Sequence, residues 1–271
     1  MTRALTKDQI RKLHEVVAQL KAAHVVAARR SSAAFTSYVM RDESGQQLKL
    51  ADFHHEWHKL LALHEQLIIW GSAEIGKTIQ LISYVAWKIG IDPSIRVVIA
   101  SKTKGKAAQI LGAIVNVMSS AAYREVFPHV VIIGSNAHTL RVLGYDGKNP
   151  TVQAYQFKAP IVGNRVDLLI FDDILDRSNT RNEQTRDEWH QFYKDTYISR
   201  LTRRGQVVFI SNAWHPRDLM HRLQEEGGWV TKRYPIWAEV AGQMVPLWPE
   251  QWPVERILKV REQFGKDRVF W

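Results

Sequence analysis

Residues 71–78 form a glycine-containing loop with the sequence Gly-Ser-Ala-Glu-Ile-Gly-Lys-Thr. The loop matches the phosphate-binding pattern G-x-x-x-x-G-K-[ST] at every fixed position, between a predicted strand at 67–70 and a predicted helix at 79–89. Its glycines let the backbone curl so that successive N–H groups point at a phosphate, next to a helix N-terminus. The predicted ATP-binding residues are Gly71, Ser72, Ala73, Glu74, Ile75, Gly76, Lys77 and Thr78.

The loop predicts the positions of further catalytic groups. Lys77 should reach the β- and γ-phosphates, and the hydroxyl of Thr78 should bind Mg²⁺. An apolar run at 168–171 is followed by Asp172 and Asp173, and a buried strand here would deliver both carboxylates to the edge of a sheet beside the loop. We therefore expect Asp172 to bind Mg²⁺ and Asp173 to polarise the attacking water.

A polar pair, Ser211 and Asn212, follows another apolar run at 206–210. At the end of a core strand beside Asp172, this pair could sense the γ-phosphate and relay its loss. The alternative is an ordinary strand end, with Asp218 capping the next helix.

Strands and helices alternate in the middle of the chain, which predicts an α/β fold with a mostly parallel sheet covered on both faces. We divide the chain into a helical region at 1–65, a core at 66–227 and a small C-terminal subdomain at 228–271. Thr6 and Gln9 have capping-box spacing, and Arg29 and Arg30 suit a helix C-terminus. The other predicted strands are 96–100, 130–133, 138–143, 152–154 and 167–171, and the other predicted helices are 52–64, 106–118, 183–198 and 254–264.

The composition points to a polyanionic partner. The net charge is +10, and no apolar run approaches the roughly 20 residues of a membrane-spanning helix, so nucleic acid is favoured over a membrane. The chain has no cysteine, which excludes disulfides and thiol chemistry. His54, His55 and His58 cluster, but their spacing is more typical of a helix face than of a metal site.

With these motifs in place, the chain resembles the ATPase domain of large terminase subunits, the DNA-packaging motors of tailed bacteriophages. This resemblance implies a P-loop NTPase with an additional-strand, RecA-like core. It also implies that Lys77 and Thr78 bind phosphate and magnesium, that Asp172 and Asp173 are the metal carboxylate and the catalytic acid, and that Ser211 and Asn212 belong to the coupling motif. Besides the loop, it rests on residues 53–57 (FHHEW), 97–103 (VVIASKT), 163–167 (GNRVD) with 171–173 (FDD), 214–219 (WHPRDL) and 246–250 (PLWPE).

The phosphate-binding loop departs from the family at Ala73 and Glu74, where many members carry an arginine. Glu74 places a negative charge near phosphates, which is unfavourable unless it points away or pairs with a basic neighbour. The missing charge could come from an adjacent subunit, and Arg165 is the first candidate for such an arginine finger, ahead of Arg200, Arg203 and Arg204. Asp173 also stands where many such motors have glutamate.

Three functions are compatible with these observations: a packaging ATPase that translocates double-stranded DNA into a procapsid, another nucleic-acid-stimulated ATPase such as a helicase, and a non-hydrolysing, nucleotide-gated assembly module. For the first, the resemblance implies a portal protein and a small terminase subunit as partners. It also implies a ring of copies when assembled and a monomer in isolation, working in the bacterial cytoplasm while docked on the procapsid. The chain ends before the family's nuclease domain, so we expect it not to cut DNA by itself. Candidate DNA contacts are Lys102, Lys104 and Lys106, and candidate adenine contacts are His54, His55, Trp57 and Gln66.

Overall fold

The computed structural model describes residues 6–144, 149–161 and 165–264. Gly163 and Asn164, which carried part of the resemblance, lie outside these residues. The α-helices are α1 (Lys7–Arg30), α2 (Ser32–Val39), α3 (Asp52–Leu63), α4 (Lys77–Ile91), α5 (Lys104–Ser119), α6 (Ala121–Val126), α7 (Arg177–Thr180), α8 (Glu183–Phe192), α9 (Leu219–Glu226) and α10 (Val254–Phe264). The strands are β1 (Gln66–Gly71), β2 (Val97–Ser101), β3 (Ile132–Ser135), β4 (Thr139–Val142), β5 (Val152–Gln156), β6 (Val166–Asp172), β7 (Leu201–Ser211), β8 (Val230–Tyr234), β9 (Trp237–Val240) and β10 (Gln243–Pro246).

Eight strands form one sheet in the order β3-β4-β5-β2-β6-β7-β1-β8. The pairings from β5 to β8 are parallel, whereas β3 and β4 add an antiparallel edge. The predicted α/β fold with a mostly parallel sheet is therefore confirmed. β7 lies between β1, which leads into the phosphate-binding loop, and β6, which ends at Asp172. The three predicted motifs therefore lie together at the carboxyl ends of adjacent parallel strands.

The sheet is buried on both faces because its central strands alternate between two hydrophobic cores. In β1, Leu67 and Ile69 face one core, while Ile68 and Trp70 face the other. The first core packs under α2 to α6, and the second packs under α8 and α9. This arrangement explains why the strands read as continuous apolar runs.

The helical region before the sheet packs mainly through its second and third helices. Thr6 and Gln9 form the predicted capping box at the start of α1, which ends at Arg30. Ala28 is the buried residue of α1, whereas Phe35 of α2 and Trp57 of α3 are fully buried in the first core. Residues 32–63 are therefore part of the body that supports the sheet.

The structure adds one strand to the core that the sequence division placed in the C-terminal subdomain. β8 pairs in parallel with β1, from Leu67 opposite Val230 to Gly71 opposite Tyr234. A core that stops at residue 227 therefore omits the edge strand beside the phosphate-binding loop. After β8, the hairpin of β9 and β10 leads into α10, which is anchored by the fully buried Ile257.

Two other local differences concern helices. The helix predicted at 183–198 is α-helical to Phe192 and continues as a π-helical turn (Tyr193–Tyr197) and a 3-10 turn (Ile198–Arg200). Tyr193 and Tyr197 are thereby both buried in the second core. Across the described ranges, none of the helices is both long and apolar enough to cross a bilayer.

Candidate active site

The loop at 71–78 has the tight curvature that a phosphate-binding loop requires. Gly76 has a φ of +78° and Glu74 a φ of +57°, both in the left-handed region. At Gly71, an added Cβ would lie 2.8 Å from the Cδ1 atom of Ile75, so only glycine fits without movement of the isoleucine. A backbone curled in this way makes a concavity that can bind an anion, and α4 begins directly behind it at Lys77.

Lys77 connects this loop to the end of β7. Its buried ammonium group donates hydrogen bonds to the main-chain oxygens of Gly71 and Ser72, at 2.9 and 2.7 Å. It also donates to Oδ1 of Asn212 at 2.7 Å. Burial lowers the pKa of the Lys77 ammonium, against the opposing charges of Asp173 and Asp172. The lysine and the predicted coupling residue are therefore in direct contact.

Asp172 is the last residue of β6 and is fully buried. It accepts hydrogen bonds from the hydroxyl of Thr78 at 3.1 and 3.2 Å, and its main-chain oxygen accepts one from the hydroxyl of Ser101 at 2.9 Å. Burial and the neighbouring Asp173 raise the pKa of Asp172 to about 6. A hydroxyl and a carboxylate held side by side are hard oxygen donors of the kind that Mg²⁺ selects, so the pair fits this ion.

Asp173 is aimed differently from Asp172 because its backbone turns sharply. Its φ is +44°, and its N–H donates to the main-chain oxygen of Ile210 at 3.0 Å, which fixes the turn against β7. Its Oδ1 atom is buried with no hydrogen-bond partner in the described residues. A cleft of about 210 Å³ lies beside it, lined also by Asn212 and Trp214. Asp173 thus lines this cleft and has one carboxylate oxygen without a hydrogen bond in the described residues.

The lysines predicted to contact DNA are mostly engaged in ion pairs. The ammonium of Lys106 lies 3.2 Å from Oδ2 of Asp173 and 3.5 Å from Oδ2 of Asp172. Lys102 pairs with Asp176, whereas Lys104 is exposed. Lys106 is therefore a component of the acidic site, because its charge balances two adjacent carboxylates. The predicted contact with DNA stays a prediction, and Lys104 is the member that forms no ion pair with the described residues.

The two predicted coupling residues have unequal environments. Asn212 contacts Lys77, whereas Ser211 is buried within β7, and its hydroxyl has no hydrogen-bond partner in the described residues. Asp218 does cap α9, accepting a hydrogen bond from the N–H of His221. The strand end and the cap therefore coexist with the contact between Asn212 and the phosphate-binding loop.

Arg165 lies at the opposite edge of the sheet from these residues. It is exposed and immediately precedes β6, whose other end carries Asp172. Six residues of extended strand place the two positions about 20 Å apart. Arg200, Arg203 and Arg204 lie near this same edge, since Val166 aligns with Leu201 at the start of β7. None of these arginines can reach the site of its own chain, so a catalytic role for Arg165 can only be in trans.

α3 contacts the phosphate-binding loop through His54, and this contact was not predicted from the sequence. The N–H of Ala51 donates to Nδ1 of His54, so the ring proton is on Nε2, which donates to the main-chain oxygen of Ile75 at 2.9 Å. His54 and Trp57 are buried, so neither can stack on a base as it stands, whereas His55 and Gln66 are exposed. The spacing from the FHHEW run to the loop carried no signal for this contact.

Glu74 does have a basic neighbour. Its carboxylate pairs with the guanidinium of Arg256 in α10. The charge that looked unfavourable in the sequence is therefore balanced within the same chain, by a residue 182 positions away.

Comparison with solved structures shows that the fold is similar to that of large terminases. The large terminase of bacteriophage HK97 matches with a TM-score of 0.52 and 15% identity, over 77% of this chain and 44% of that one. The large terminase ATPase domain of Thermus phage P74-26, an alanine-substituted mutant, matches with a TM-score of 0.53 and 15% identity, over 80% of this chain and 90% of that one.

The chain has the fold of a large terminase ATPase domain. It spans less than half of the HK97 terminase chain and nearly all of the P74-26 domain. No protein-family model matches the sequence, and no curated protein matches it either. The terminase fold is therefore established by the three-dimensional similarity at low sequence identity.

Proposed function

We propose that this chain is a Mg²⁺-dependent ATPase of a viral DNA-packaging motor. The observation that carries the proposal is the convergence of three strand ends on one site. Lys77 of the phosphate-binding loop contacts Asn212 after β7, and Thr78 contacts Asp172 at the end of β6. This arrangement supports phosphoryl transfer, in which catalysis consists mainly of positioning and charge stabilisation.

Each residue has a defined part in the proposed reaction. The ammonium of Lys77 binds the β- and γ-phosphates, while Thr78 and Asp172 hold Mg²⁺. When bound, this ion supplies positive charge to the phosphate oxygens. The free Oδ1 of Asp173 orients and polarises the water that attacks the γ-phosphate.

The contact between Lys77 and Asn212 gives the proposed motor a means of sensing the nucleotide. A lysine that moves onto the phosphates must release at least one of its present partners, because its ammonium offers three donors and now uses all three within the protein. We assign Asn212 as the partner that is released. The end of β7 would therefore experience nucleotide binding and phosphate loss as the breaking and remaking of one hydrogen bond.

The work coupled to hydrolysis is proposed to be translocation of double-stranded DNA. The terminase fold and the net charge of +10 support this assignment. The chain would act as a ring of copies with a portal protein and a small terminase subunit, in the bacterial cytoplasm at the procapsid. The ion pair between Glu74 and Arg256 offsets the negative charge that had favoured a non-hydrolysing module, which supports hydrolysis as the proposed activity.

Steady-state phosphate release tests the proposal. Turnover should require Mg²⁺, should rise with double-stranded DNA and should be abolished by Lys77→Ala. Binding of a fluorescent ATP analogue should be lost in the same variant. Turnover no greater than that of Lys77→Ala, with DNA, portal and small subunit all present, would exclude an ATPase.

A further inference from the structure

Arg256 is a positive charge held against the phosphate-binding loop from outside the sheet. Its Nη2 atom bonds to Glu74 in the loop, and its Nη1 atom donates to the main-chain oxygen of Gln251 at 2.8 Å. The guanidinium carbon also lies 3.8 Å from the ring centroid of Trp252, which is almost fully buried. The guanidinium is thus held in a defined position by three groups.

The segment that carries Arg256 rests on the loop at a second point. Trp248 packs edge-on against the ring of His54, with 5.0 Å between ring centroids, and His54 bonds to Ile75 in the loop. Glu74 and Ile75 are adjacent, so residues 248–256 touch two neighbouring loop positions, one directly and one through a histidine. A movement of either loop residue would therefore change its contacts with this segment.

Charge balance indicates what Arg256 can do when a nucleotide is present. Glu74 sits in a loop whose backbone is shaped for an anion, and a carboxylate there would repel phosphates if it were unpaired. A guanidinium has five N–H donors in a planar fork, so it can contact a carboxylate and a phosphate together. Arg256 neutralises the charge of Glu74, and its guanidinium has more N–H donors than the bonds to Glu74 and Gln251 use.

We propose that Arg256 is a nucleotide-binding residue that contacts the polyphosphate in cis, with Glu74 as its positioning residue. This inference rests on the proposed function, because it requires ATP or ADP in the loop at 71–78. It makes α10 part of the nucleotide site, so binding of the polyphosphate draws the C-terminal segment and the loop together.

Two substitutions distinguish a phosphate contact from a structural ion pair. Arg256→Gln should weaken binding of ATP and of ADP about tenfold, the loss expected for one charge-assisted hydrogen bond. Glu74→Gln should leave the affinity unchanged or increase it, because it removes an anion while the amide oxygen of glutamine can still accept the hydrogen bond that positions the guanidinium. Calorimetric titration with each nucleotide and Mg²⁺ measures both effects.

Arg261→Gln is the matched control. Arg261 lies on the same helix and over a tryptophan ring, 5.2 Å from the centroid of Trp237. Its replacement should change nucleotide affinity less than twofold, and the unliganded melting temperature of each variant reports any loss of folding.

Three results would overturn the inference. An affinity within twofold of the parent in Arg256→Gln would make the ion pair incidental to binding. Equal losses in Arg256→Gln and Glu74→Gln would mean that the pair only shapes the loop. A tenfold loss in Arg261→Gln would mean that α10 acts through folding alone. If Lys77→Ala retains full affinity, the proposed ATP site itself is wrong, which separates that failure from the others.

Discussion

The side chain of Asp173 depends on an unusual backbone conformation. Its φ of +44° lies in the left-handed region, which asparagine and aspartate adopt more readily than other residues with a side chain. Asparagine is therefore the substitution that removes the charge while keeping the turn against Ile210. Alanine would remove the charge and strain the backbone together.

Asp173→Asn should separate nucleotide binding from hydrolysis. We expect ATP affinity within about threefold of the parent and a turnover at least 100-fold lower, of the order lost with a general base. Single-turnover hydrolysis and equilibrium binding on one preparation measure the two quantities. Undiminished turnover would transfer the role of base to another group.

At the scale of single residues, the sequence predicted the positions of those site residues that belong to a local motif. Lys77, Thr78 and Asp172 lie together as expected, since the loop pattern and the apolar strand fix their positions on the sheet edge. The ion pairs of Lys106, a candidate DNA contact, with Asp172 and Asp173 were not predicted from the sequence. Lys106 looked like part of an exposed basic loop, and only the parallel pairing of β2 with β6 brings it to the two aspartates.

Two glycines on neighbouring helices offer a matched test of packing. Gly90 of α4 faces Phe127 so closely that an added Cβ would lie 2.2 Å from the ring, whereas Gly112 of α5 has open space around it. Gly90→Ala should lower the free energy of unfolding by about 1–3 kcal/mol through overpacking. Gly112→Ala should raise it by up to about 1 kcal/mol through helix propensity.

Urea denaturation of both variants measures these effects on equal terms. Equal free energies of unfolding for the two variants would mean that the ring of Phe127 moves aside without cost. A destabilised Gly112→Ala would mean that α5 is packed against something that the isolated chain does not show.

A buried histidine joins three helices and should make stability depend on pH. His58 of α3 bonds to Ser32 and Thr36 in α2 and to Gln80 in α4. Burial lowers its pKa from 6.5 to about 4, so the folded protein keeps it neutral while the unfolded chain takes up a proton. This contribution is complete above about pH 6.5 and is lost as the pH falls toward about 4.

His58→Gln should flatten that part of the pH dependence. The parent should lose up to about 1.4 kcal/mol of unfolding free energy per pH unit from this group between about pH 6.5 and pH 4. Denaturation at about pH 7 and about pH 5 gives the difference for each protein. A decline of equal size in parent and variant would assign the effect to other groups, of which buried His54 is the first.

Among the elements, those with a strong apolar pattern were predicted and those without one were not. The core strands and α4, α5 and α10 lie within a few residues of their predicted positions. β8 gave no such signal because it is an edge strand, with Lys232 and Arg233 exposed and Tyr234 buried. Residues 230–234 form a strand because they pair with β1, and their own sequence pattern does not predict it.

At the scale of the whole molecule, a role for Arg165 in trans would require the N-terminal ends of β6 and β7 to face the site of an adjacent copy. Arg165→Ala should leave ATP binding and the turnover of the isolated chain unchanged, because the side chain is about 20 Å from its own site. It should lower turnover at least tenfold when the chain is assembled with portal and DNA. A loss of ATP affinity in the isolated chain would contradict a role in trans.

Contacts across the whole chain were beyond what sequence patterns could predict. Glu74 and Arg256 are separated by 182 residues, and each alone reads as an ordinary surface charge. Their meeting requires β8 to pair beside β1 and α10 to pack back over the loop. Such a contact has no period and no fixed spacing, so only the folded arrangement reveals it.

The position of β1 has a consequence for the biosynthesis of the protein. Both of its neighbours, β7 and β8, come much later in the chain, since Gln66 aligns with Val207 and Leu67 with Val230. At roughly 5–20 residues per second, the ribosome needs about 7–30 s after β1 to produce its first partner. During that interval an apolar strand and the loop behind it have no sheet to join, and such strands are prone to aggregation. Truncated chains that end before β8 should leave β1 as the exposed edge of the sheet, and we expect them to aggregate more readily than the full chain.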